Sequence, residues 1–119
     1  MTIETTIVDV LKGLVQDADG TVRIFPDVAE FGTPPPYITY QQVGGAALNF
    51  LEAAPPGKRN GRFQLNCWAG SRIDASELGR QVEDALVTAL GAYVLGAAVA
   101  AYEPDTKLYG TRQDFSIWF

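Results

Sequence analysis

The sequence predicts an α+β fold: a mostly antiparallel sheet of about five to six strands with two helices packed on one face. Three observations predict it. Apolar residues recur at three- and four-residue intervals near the start of the chain and again beyond its middle, the spacing of a helix with one buried stripe. Segments of strict apolar and polar alternation precede and follow the second of these stretches. The strands follow one another in hairpin-like succession, without the regular β-α-β alternation of a parallel sheet.

Ile3, Ile7, Leu11, Leu14 and Val15, with Glu4, Asp9, Lys12 and Gln16 between them, predict a first helix from Thr2 to about Gln16. Asp17-Ala18-Asp19-Gly20 has turn chemistry, and Val22-Arg23-Ile24-Phe25 is a short strand stopped by Pro26. An acidic loop then runs into Thr33-Pro34-Pro35-Pro36, whose prolines hold extended backbone and lead into the strand Tyr37 to Val43. Gly44-Gly45 permits a tight reversal, after which Ala47 to Leu51 reads as a strand pairing back. Pro55 to Gly61 is too rich in proline and glycine for a central strand and reads as a protruding arm. Arg62 to Trp68 alternates, with Phe63, Leu65 and Cys67 on one face and Gln64, Asn66 and Trp68 on the other.

Asp74, followed three positions later by Glu77, has the form of a capped helix start, and Leu78, Val82, Ala85, Leu86, Ala89 and Leu90 continue the stripe to a stop near Gly91. Ala98 to Glu103 and Tyr109 to Phe119 read as two further strands. In the last, Gln113, Phe115, Ile117 and Phe119 alternate with Arg112, Asp114, Ser116 and Trp118, and an apolar end of this kind is expected to be docked.

The chain has 119 residues, 47% of them hydrophobic and 19% charged, enough for one core and one domain over residues 1–119. The apolar run Ala92 to Tyr102, broken by Gly96, is about half the roughly 20 residues that cross a bilayer. Neither a membrane helix nor a secretory signal is expected, which points to folding in a cytoplasm. A formal charge of −5 repels polyanions, so specific nucleic-acid binding is not expected.

Histidine is absent and Cys67 is the lone cysteine. This removes Ser-His-Asp and Cys-His catalysis, histidine-based zinc sites and CxxC pairs. Neither of the glycine-rich loops that cradle phosphates, GxxxxGK[ST] and GxGxxG, occurs in the sequence. No catalytic, cofactor or metal site is expected, and Cys67 reads as a buried thiol. Glu83 and Asp84 are adjacent on a helix and diverge by about 100°, so they do not converge on one site. The basic cluster Lys58, Arg59 and Arg62, together with Trp68 on the polar strand face, supplies the candidate partner contacts.

With these elements placed, the pattern resembles a family of small phage and prophage proteins: the tail-completion, tail-terminator or minor tail components of siphophages. The resemblance runs through Ile7 to Leu11, Val22 to Pro26, Pro36 to Tyr40, Phe63 to Ala69, the helix with Leu78, Val82 and Leu86, and Arg112 to Trp118. It implies a structural virion protein without catalysis, assembled in the host bacterial cytoplasm. It further implies a homo-oligomeric ring, a hexamer, that caps or completes the tail tube and joins it to the head connector. Its partners would be other copies of itself, tail-tube proteins and head-completion proteins. DNA would pass through such a ring without sticking, and Asp27, Glu30, Glu83 and Asp84 are the candidate channel-lining residues. A head-completion, connector or tail-tube subunit would have similar size and class. A ligand-binding module or carboxylate enzyme, the reading from a different class, predicts a deep polar pocket.

Overall fold

A computed structural model describes residues 2–46 and 58–119. Thr2 stands in extended conformation and its hydroxyl accepts from the Thr5 amide at 3.2 Å, so it caps helix α1, Ile3–Leu11. The helix is shorter than its apolar spacing predicts. Lys12–Leu14 tightens into a 3-10 turn, which brings Val15 into the core beside Ile7 and Leu11. Strand β1 is Ile24–Pro26, β2 is Tyr37–Gln42 and β3 is Asn60–Ala69. The predicted strand from Ala47 to Leu51 lies outside the described residues. Asn60 and Gly61, assigned from sequence to the arm, instead open β3 and pair with Trp118 and Ile117.

Helix α2 spans Arg72–Leu90, and Ser71 caps it: its hydroxyl accepts from the Asp74 amide at 3.1 Å. The cap expected at Asp74 therefore falls three residues early. Ser71 followed by Asp74 fits the same pattern, and the acid sits in the first turn, where the helix dipole favours it. Gly91 ends the helix in the left-handed conformation at φ 61°, as the predicted stop requires. Three strands follow: β4, Tyr93–Val94; β5, Val99–Glu103; and β6, Leu108–Trp118. The short β4 is not evident in the sequence.

The sheet runs β1-β2-β3-β6, with β4 and β5 both paired to the outer side of β6. Every pairing is antiparallel except β1 with β2. The hairpin expected between those two is replaced by a crossover through residues 27–36, long enough to return the chain to the same end of the sheet. The β3–β6 register sets Phe63 opposite Phe115, Leu65 opposite Gln113 and Cys67 opposite Thr111. With Ile38 and Ile117 these side chains form one face, on which both helices pack through Ile7, Leu11, Leu78, Val82 and Leu86. At Gly79 the second helix comes so close that an added Cβ would lie 2.6 Å from Thr111 Oγ1.

Cys67 is 2% exposed and burial pushes its thiol up to about 12 from an ordinary 9.0. The folded state thus holds this proton more tightly than the unfolded chain does. Its contribution to stability is complete below about pH 9 and is lost as pH rises toward 12. Desolvation raises Tyr37 and Tyr40 in the same direction. Two results are expected: iodoacetamide leaves Cys67 unlabelled at pH 8 until urea is added, and the urea midpoint falls as pH climbs beyond 9. Rapid labelling of the folded protein would contradict a sealed core at this position.

Candidate assembly interface

The two edges of the sheet differ in chemistry. On β1, Pro26 has no amide hydrogen to offer a further strand, and its carbonyl already accepts from the Val28 amide at 2.7 Å. The chain just before it is tied back by the Gln16–Val22 bridge and the Arg23 amide on the Val15 carbonyl. This edge is closed. At the other edge β4 and β5 act as two halves of one strand interrupted by Gly96 and Ala97. Tyr93 pairs with Ser116 and Val94 with Phe115, the Leu95 amide reaches the Asp114 carbonyl, and pairing resumes two residues out of step at Val99 and Arg112. Gln113 fills the interruption: its Nε2 donates to Glu83 Oε1 at 2.7 Å and to the Gly96 carbonyl at 2.9 Å. Beyond β5 no further strand pairs among the described residues, and Tyr93, Leu95, Val99 and Tyr102 are exposed along it.

Between this edge and α2 lies a cleft of about 290 Å³, lined by Gly79, Ala98, Ala100 and the buried Thr111 and Gln113, with Arg72, Arg80 and Glu83 around it. Arg72 donates to the Ala101 and Gly110 carbonyls and lies 5.4 Å from the Tyr109 ring centre. Neither Arg72 nor Arg80 forms an ion pair among the described residues.

The face of the sheet away from the helices is polar, and among the described residues no helix or second sheet covers it. A groove of about 400 Å³ on it is lined by Tyr37, Gln64, Trp68, Glu103 and Arg112 and flanked by the loop after β1. Arg112 is hydrogen-bonded to Asn66 Oδ1 at 3.1 Å. Among the described residues, no group of three or more His, Cys, Asp or Glu is placed to hold a metal ion, and no helix is long and apolar enough to cross a membrane. The loop after β1 exposes Val28 and Phe31, the latter wholly.

The candidate residues fall into separate groups. Lys58 and Arg59 are exposed where the chain enters β3, and Arg59 exchanges backbone hydrogen bonds with Phe119. Arg62 is bound across the strands to Asp114 at 2.7 Å. Trp68 lies six residues along the same strand, about 20 Å away at strand rise, so it does not join the basic cluster. Its ring covers Gly110, where an added Cβ would come within 2.7 Å of the indole. Asp27 and Glu30 flank the groove on the open sheet face, whereas Glu83 and Asp84 lie on α2 in the opposite layer. Sequence reasoning missed Phe31, Arg72, Arg80 and the β4–β5 edge. The one available signal was Phe31 itself, an aromatic standing in an acidic loop outside any apolar period.

What this geometry defines is an α+β scaffold with one closed sheet edge and one open, apolar edge. The family model described as tail completion protein gp17 matches residues 8–119, and the chain belongs to that phage tail-completion family. It is a structural component of the phage tail, and hence of the virion, whose work involves other tail or head proteins. No individual curated protein matches the chain.

Proposed function

We propose that the protein is a ring-forming subunit that completes the tail tube and joins it to the head connector, acting as one domain over residues 1–119 and without catalysis. The observation that carries this reading is the β4–β5 edge. Its exposed Tyr93, Leu95, Val99 and Tyr102 form the kind of strand edge that proteins cover with a partner. The family assignment supplies the tail, and a hexamer is the ring expected of it. Lys58, Arg59, Arg62 and Trp68 are then contacts toward tube or head proteins, with Arg62 holding its place through Asp114. Six copies multiply the charge of −5, so the inner wall repels duplex DNA rather than retaining it. Because the two acidic pairs occupy opposite layers, only one of them can line that wall. Assembly takes place in the host bacterial cytoplasm.

Native mass spectrometry and light scattering on the purified protein, alone and with its tail-tube protein, test the proposal. A closed oligomer of six copies is expected. A species that stays monomeric at high concentration and with the tube protein present would overturn it.

A further inference from the structure

From the exposed Phe31 and the cleft beside β5, we infer that the loop after β1 of one copy inserts Phe31 into the α2–β5 cleft of the next copy. This rests on the ring reading above and names its contact. Phe31 is an aromatic side chain fully in water, where it forfeits the burial that makes such residues strong interface anchors. Gly79, Ala97, Ala98 and Ala100 leave the cleft open because they have little or no side chain, the buried Thr111 and Gln113 also line it, and its volume of about 290 Å³ accommodates an aromatic ring.

The charges also match. Asp27 and Glu30 belong to the same loop as Phe31 and form no ion pair among the described residues, and Arg72 and Arg80 beside the cleft form none either. Glu83, the carboxylate in the cleft, is engaged by Gln113. The donor loop follows β1 at one edge of the sheet, and the receiving cleft adjoins β5 at the other. Contacts between two different patches of identical subunits repeat head to tail, and they close into a ring when the rotation allows. The inserted loop also lies against the open edge that needs cover.

Two single variants and their mixture test the contact. Phe31→Ala removes the plug, and Ala98→Trp fills the cleft from an exposed position; circular dichroism verifies that both remain folded. Each alone is expected to lose every species above monomer in native mass spectrometry. An equimolar mixture is expected to form a one-to-one dimer and nothing larger, because only the cleft of the first variant and the plug of the second survive. Arg80→Glu is expected to weaken the wild-type assembly by at least about tenfold, as loss of a close interfacial charge pair does. A wild-type oligomer that both variants leave intact would overturn this contact while sparing the ring. Variants that lose assembly yet never pair with each other would overturn it too. A wild-type protein monomeric under all conditions would overturn the ring and the contact together.

Discussion

Replacing Phe115 by alanine is expected to cost about 3–5 kcal/mol, the usual loss for a fully buried aromatic ring. Phe115 sits directly opposite Phe63 on the central β3–β6 ladder, and neither has any exposed surface. The void would open between the sheet and the helical layer, where Leu86, Val82 and Ile117 belong to the same core and packed neighbours relax only in part. Since a domain of this size is stable by about 5–15 kcal/mol in all, the variant should be near the limit of folding. With a urea slope of about 2 kcal/mol per molar, the midpoint should drop by about 2 M. Phe119→Ala is the comparison. Its ring touches the same cluster from outside, 6.4 Å from that of Phe63 and substantially exposed, so a loss of about 1 kcal/mol is expected. Equal losses for the two variants would show that the core does not centre on the β3–β6 pair.

Gln113→Leu should be the more informative lesion, though a smaller one. The side chain occupies a core-facing position on β6 and is only 7% exposed, yet it serves two acceptors, Glu83 Oε1 and the Gly96 carbonyl. Leucine fills similar space and donates nothing. Leaving a carboxylate and a carbonyl without their donor costs about 1–3 kcal/mol. The damage should be local as well, because among the described residues this amide is the side-chain hydrogen-bond bridge between Gly96, in the interruption of β4 and β5, and Glu83 on the helix. Hydrogen exchange at Val99 and Ala101, whose amides face β6, should accelerate more than at Leu65 or Cys67 on β3. Uniform acceleration across the sheet would mean that the bridge supports global stability and has no special hold on the edge.

The elements easiest to read from sequence were those whose pattern is enforced by one buried face. The alternation in Phe63, Leu65 and Cys67 and in Gln113, Phe115 and Ile117 appears in the structure with the faces as expected, because a one-residue slip would expose every core side chain. Gly91 marked the end of α2 because its positive φ is one that glycine adopts freely. Other features depend on contacts that no local window contains. The parallel pairing of Ile24 with Ile38 is decided by the path of the loop between them. Ser71 and Asp74 both suit a helix cap, and only the turn out of β3 selects the serine. Ala92 to Ala101 is apolar throughout and lacks the polar alternation that would show where β4 stops and β5 begins. At the candidate interface, Trp68 was legible as an aromatic on a polar face, but its seat over Gly110 follows from the β3–β6 register. Phe31 carries meaning only once its loop is seen to leave it in water.

Pro26 also bears on how the protein fares before it finds its tail. An exposed strand edge invites edge-to-edge pairing of one sheet with the next. Unlimited pairing needs two receptive sides per molecule. Here Pro26 and the Val28 amide occupy one of them, so backbone pairing at the β5 side can join at most two molecules before both run out of free strand. Fibre growth is thereby terminated at its first step, and the pool of unassembled subunits stays available for virion construction.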